Sequence, residues 1–193
     1  KEVNKNRVIL KLFWFPEDSL FMYVLKKEAP RFSKNLSIQE KILTLAPYIA
    51  LPSTWDEYFR LLSKKRRHFL RGKLKSLERA HAVKLHECTP DSLEEKLSKF
   101  FDLHQKRWQS VNFSSEFASH KNREFLRDIA NQFLRKNWLH FSYLTVDNEV
   151  VSAVYGCIYN QKFYAMIAAR DPSYSRYSVG HINYMLLIVD AIN

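Results

Sequence analysis

Apolar and polar positions change period several times along the chain, and each change marks an element. Near the start, Arg7 to Phe15 and Leu20 to Lys27 are mixed apolar runs flanking the turn-like Pro16-Glu17-Asp18, and they predict two strands in a hairpin. Pro47 to Pro52 is bounded by prolines and predicts an extended link. Ser53 with Asp56 and Thr54 with Glu57 both fit the spacing of a capping box, so a helix should start there. Trp55, Tyr58, Phe59, Leu62, Phe69, Leu70, Leu74 and Leu77 then recur at helical spacing to about Ala80, which predicts one long helix with a buried stripe.

Ala82 to Cys88 alternates and predicts a strand. Thr89 offers a cap and Pro90 suits a first helical position, and Leu93, Leu97, Phe100, Phe101, His104 and Trp108 mark the face of a second helix. A loop rich in Ser and Asn follows, and Phe125, Leu126, Ile129, Phe133 and Leu134 mark a third helix ending near Asn137. Trp138 to Val146, Val150 to Tyr159 and Lys162 to Arg170 predict three antiparallel strands joined by the tight turns Asp147-Asn148-Glu149 and Asn160-Gln161. After a polar loop, Val179 to Ile192 is so continuously apolar that it predicts a helix buried on most sides.

Composition sharpens this outline. At 193 residues, 46% apolar and 15% aromatic, the chain can fill a substantial core. No stretch reaches about 18 consecutive apolar residues, so a cytoplasmic protein without a membrane span is expected. Cys88 and Cys157 lie in predicted strands without CxxC spacing and are expected to be buried, reduced thiols. The histidines form no zinc-ligand spacing with them, so no metal is expected. A net charge of +11 attracts phosphates, carboxylates, nucleic acid or an acidic carrier protein without choosing among them. Much of it sits at Lys64, Lys65, Arg66, Arg67, Arg71, Lys73, Lys75 and Arg79, on what is either a solvated helix face or a surface for polyanions.

One of only three glycines, Gly180, falls where the loop Arg170 to Ser178 becomes the last helix. A helix start carries unpaired N–H groups and partial positive charge, so a side-chain-free approach there makes a seat for phosphate. Arg176, Ser175 and Ser178 could add donors. Alternatively, Gly180 only relieves a crowded turn that Ser178 caps.

The order of elements, strand, two helices, three strands, loop and buried helix, resembles the GNAT-type N-acyltransferase fold. Pro47 to Leu85, Asp102 to Trp108 and Tyr164 to Gly180 are similar to the CelD/BcsL-like branch of that superfamily, which is related to FemAB transferases. The resemblance covers roughly residues 47–193 and implies an α+β fold, a mostly antiparallel sheet flanked by helices. It divides the chain into a partial N-terminal sub-structure, 1–46, and an acyltransferase domain, 47–193, from which further C-terminal strands would be absent. Where the usual loop has Arg or Gln, two residues, Gly, one residue and Gly or Ala, Arg176 is followed by Tyr177, Ser178, Val179, Gly180 and His181, so the pyrophosphate grip is shifted.

What the resemblance implies is transfer of an acyl group from acyl-CoA, most simply acetyl-CoA, to an amine of a sugar or small polar metabolite. Ile167, Ala168, Ala169, Arg170, Arg176, Ser178, Val179, Gly180 and His181 would hold the donor. Arg107 and Trp108 would face the acceptor, and Asp171, His104 and Tyr164 are the candidates for moving protons. Direct transfer needs no covalent enzyme intermediate, in keeping with the absence of a GxSxG elbow. Two other functions remain open: a FemAB-like transferase taking its acyl group from aminoacyl-tRNA, and a non-catalytic basic module binding nucleic acid or an acidic partner. The stretch Lys64 to Arg79 would carry contacts to transfer RNA or an acidic acyl carrier. Oligomeric state is not legible in the sequence.

Overall fold

A computed structural model of the chain describes residues 10, 12, 15, 19–32, 38–42 and 44–192. It divides into two units, Lys1–Ile49 and Ala50–Asn193.

In the first unit, α1 spans Leu20–Phe32. The expected strand Leu20 to Lys27 is therefore corrected to a helix. Leu, Met, Lys, Glu and Ala dominate the segment, and these lose little freedom in a helix, whereas a half-buried strand needs β-branched residues on a packed face. The partner strand expected over Arg7 to Phe15 lies largely outside the described residues.

The second unit is built on a four-stranded antiparallel sheet in the order β1 (Val83–Glu87), β2 (Leu139–Val146), β3 (Glu149–Tyr159) and β4 (Lys162–Arg170). Both hairpin turns place consecutive residues at positive φ, Asp147-Asn148 and Asn160-Gln161, the backbone that a two-residue turn requires and that Asn and Asp tolerate. Among the described residues β4 is an edge strand.

Helices cover both faces. On one, α4 (Leu93–Gln109) and α5 (His120–Arg135) pack Leu97, Phe100, Phe101 and Leu126 against Phe141, Ala153, Tyr155 and Ala169 of the sheet. On the other, α3 (Lys64–Glu78) and α6 (Val179–Ile192) bring Leu77, Val179 and Ile182 onto Leu144, Val146 and Val151. Strand alternation separates the two sets, except that Val151, the extra residue where Leu144 pairs with Ser152 but Thr145 with Val150, joins the second; each fully buried Leu or Phe contributes about 2 kcal/mol. This is the α+β architecture expected from the sequence.

Three local expectations are corrected. The single helix over 53–80 is two, α2 (Trp55–Leu61) and α3. Leu62 turns extended, with ψ 146°, and the Ser63 hydroxyl accepts from the Arg66 amide, so a second cap interrupts the apolar stripe. In α6, Ile182, Asn183, Met185 and Leu187 are buried but His181 and Tyr184 are exposed, because the helix covers the sheet on one side only. Both cysteines are free and half-buried rather than buried.

Candidate functional site

β4 departs from regular pairing where the site forms. Tyr155 pairs with Ile167 but Gly156 with Ala165, so Met166 is an extra residue that bulges the strand. Gly156 makes this approach possible: a Cβ there would stand 2.2 Å from the Tyr164 carbonyl oxygen. Beyond the bulge, the Asp171 amide bonds back to the Val151 carbonyl of β3 at 2.8 Å. Alternation then turns the peptide groups of Arg170 and Ala168 to the open edge of the sheet.

A 3-10 turn, Pro172–Tyr177, follows, begun by Asp171, whose carboxylate accepts from the Ser173 amide at 2.9 Å and its hydroxyl at 2.7 Å. Ser178 then adopts the left-handed conformation, φ 58° and ψ 45°, and α6 starts. The Ser178 carbonyl accepts from the amides of His181 and Ile182, and among the described residues no acceptor meets the amides of Val179 and Gly180. Gly180 itself has ordinary helical φ; its missing side chain makes room for the Arg170 stem, whose Cδ would stand 3.2 Å from a Cβ.

At Gly180 opens a cavity of about 340 Å³ lined by Arg107, Ser152, Val154, Ala168, Ala169, Arg170, Ser175, Ser178, Gly180, His181 and Tyr184. Its lining holds two arginines and no carboxylate. The Arg170 guanidinium donates to Ser175 Oγ at 3.1 Å, and burial and then the neighbouring Arg107 charge press its pKa below the ordinary arginine value, though it stays cationic. Burial first, then Arg66 and Arg170, hold the His181 pKa below the histidine norm. Two like charges crowded without a counterion suit an anion.

A buried polar chain fixes α6 against the sheet. Asn183, fully buried, donates to Ser152 Oγ at 3.1 Å, and Ser152 donates to the Ala169 carbonyl at 3.1 Å. Lys73 of α3 donates to the Arg176 carbonyl, holding the turn from its far side.

Of the residues expected to hold a donor, Ala168, Ala169, Arg170, Ser178, Gly180 and His181 line the cavity. Val179 is fully buried in the core and does not line the cavity, and Ile167 packs against the α4–α5 side. Arg176 does not line the cavity: the 3-10 turn points it outward, with its guanidinium 4.5 Å from the centre of the Tyr177 ring. Arg107, expected near an acceptor, lines this cavity instead, reaching it from α4. Ser152 and Tyr184 went unnoticed in the sequence, although Ser152 alternates with Val154 and Tyr184 is one helical turn after Gly180, both readable as shared faces.

The proton-handling candidates do not converge. His104 is buried, with Nδ1 2.8 Å from Ser115 Oγ and Nε2 accepting from the Trp108 indole N–H at 3.0 Å, so neither nitrogen is free. Burial lowers its pKa against a smaller opposing pull from Glu116. Trp108 is thereby tied to its own helix, 40% exposed. Asp171 lies 3.4 Å from Lys106 Nζ; burial opposes its charge, but Ser173 and Lys106 outweigh this and lower its pKa. It lines a second cavity, about 470 Å³, with Asp102, Lys106, Glu149 and Tyr174. Tyr164 is on β4 beyond the bulge, 46% exposed, about 13 Å of strand from Ala168.

Among the described residues no group of three His, Cys, Asp or Glu side chains could hold a metal, and no helix is long and apolar enough to cross a membrane.

Residues 64–193 match the family model described as an acetyltransferase (GNAT) domain. No curated protein matches the chain. Among solved structures, it is similar to a conserved protein of unknown function from Bacteroides thetaiotaomicron VPI-5482, at 16% identity and a TM-score of 0.46; the match covers 69% of this chain and 45% of that one.

Proposed function

The chain belongs to the GNAT acetyltransferase domain family, and from that premise we propose that it transfers an acyl group from acyl-CoA, with acetyl-CoA the simplest donor, to the amine of a sugar or other small polar metabolite. The observation carrying this reading is the unpartnered amide of Gly180 at a cavity walled by Arg107 and Arg170 with no carboxylate. Such a seat suits a pyrophosphate.

With the diphosphate there, the open edge of β4 gives the pantetheine arm peptide groups to pair with at Arg170 and Ala168. The thioester then comes to the bulge at Met166, because the distance from Ala168 to Tyr164 is one that an extended arm covers. An outward amide beside the bulge polarises the thioester carbonyl as the amine attacks. The nitrogen–carbon bond forms, the carbon–sulfur bond breaks, the leaving thiolate takes a proton from the exposed Tyr164 hydroxyl, and the proton released by the amine nitrogen returns through water to the Tyr164 oxygen. In this arrangement His104 and Asp171 are positioning residues. His104 holds the end of α4, which carries Arg107, and Asp171 caps the turn that presents α6.

We place the chain in the CelD/BcsL-like branch, in the cytoplasm, with residues 1–46 as a separate sub-structure; these rest on the sequence resemblance. Use of aminoacyl-tRNA as donor is the second reading, favoured by the uncompensated charge of α3. Calorimetric titration with CoA tests the first. Saturable binding that weakens about tenfold or more in Arg170→Ala is expected, the cost of losing a charged hydrogen-bonding partner. Absence of CoA binding, or an Arg170→Ala variant that binds equally well, would remove it.

A further inference from the structure

We propose that the solvent face of α3 is a nucleic-acid-binding surface, separate from the anion cavity, that holds a sugar–phosphate backbone without reading its bases. Its positions are Lys64, Lys65, His68, Arg71, Gly72, Lys75, Ser76 and Arg79, all exposed and confined by the helical period to one side of α3, opposite Leu70 and Leu77. None of its five Lys and Arg side chains forms an ion pair among the described residues, although ion pairs are made elsewhere in the molecule. The 15 residues of α3 are about 22 Å long, the rise of about six phosphates along one strand of a duplex.

The second observation is Gly72, in the middle of this face. Glycine destabilises a helix interior relative to alanine, and nothing inside the molecule asks for it: a Cβ would meet no atom within 4 Å, and its φ is not positive. Together with Ser76, one turn on, it leaves a notch of small residues flanked by Lys65, Lys75 and Arg79. A polyanion can bring its backbone against the helix there while the flanking cations close on its phosphates. This favours nucleic acid over an acidic protein, because the face carries no Leu, Ile, Val, Met, Phe, Tyr or Trp side chain and a protein interface is centred on such anchors. Within the face only Arg71 is engaged, its guanidinium 4.4 Å from the centre of the Phe59 ring, and the other basic side chains of α3 are held elsewhere: Lys73 with the Arg176 carbonyl, Arg67 with the end of α2, and Arg66 over Phe69.

The test is fluorescence anisotropy of the full chain with a labelled 20-nucleotide single-stranded RNA and a labelled 20-base-pair DNA duplex, each across a range of NaCl. Binding of at least one probe is expected, with log K falling linearly against log salt. In the triple variant Lys65→Gln/Lys75→Gln/Arg79→Gln the slope on the duplex should shrink by about three, or by about two on the single strand. Gly72→Leu should raise Tm while weakening binding several-fold, a combination that a merely structural glycine would not give. An unchanged slope in the triple variant, equal binding by Gly72→Leu, or binding of neither probe overturns the proposal. Displacement of the probe by poly-L-glutamate at matched charge concentration also overturns it, in favour of an acidic protein partner.

Discussion

Gly156 and Gly180 have small-residue roles of different kinds, and substitution separates them. At Gly156 the obstacle to a Cβ is the Tyr164 carbonyl, which is backbone and cannot move aside. Gly156→Ala should therefore destabilise the protein by about 3 kcal/mol, as overpacking does, measured by urea unfolding; a loss below about 0.5 kcal/mol would show that β4 can shift. His104 supplies a pH dependence. Its folded pKa is lowered, so below about pH 6.5 the unfolded chain takes up a proton that the native histidine resists. The neutral-His contribution is thus complete above about pH 6.5 and is lost as pH falls through the folded pKa. His181, also lowered, acts in the same direction. Tm should drop from pH 6.5 to 5, before carboxylates titrate, and a flat or rising Tm across that window would contradict the assignment.

At the scale of elements, what was legible was whatever leaves a periodic trace. The three strands after Trp138 and the turns at Asp147-Asn148 and Asn160-Gln161 could be read, since alternation and turn-forming residues coincide there. The break at Leu62-Ser63 was hidden because the apolar stripe continues across it, and only the Ser63 cap marks it. In the site, the loop-to-helix junction was visible through Gly180, but the left-handed residue is Ser178 and the cation is Arg170, not Arg176. A 3-10 turn rotates side chains by a different amount per residue than a loop drawn from sequence suggests. The Asn183–Ser152–Ala169 chain, which joins α6, β3 and β4, is tertiary and left no local signal. Asn183→Ala should lower stability by about 2 kcal/mol, because it leaves Ser152 short of a buried partner, and should also weaken CoA binding by loosening the start of α6. Unchanged stability would mean that the chain does not hold the helix.

Across the whole molecule, cations are arranged at two sites of different depth. The cavity before α6 concentrates Arg107 and Arg170 where solvent screening is weak, whereas the outer face of α3 is exposed to salt. CoA binding should accordingly lose less affinity between 50 and 300 mM NaCl than any nucleic-acid binding does, and equal salt slopes would indicate one diffuse field. The central claim is that the main-chain start of α6 seats the donor's phosphates. The most direct measurement is the amide spectrum of 15N-labelled protein during a titration with CoA. The Gly180 amide signal is expected to move downfield and saturate, with smaller changes at Ala168 and Arg170. Saturation with that signal unmoved and the changes gathered elsewhere would contradict the account.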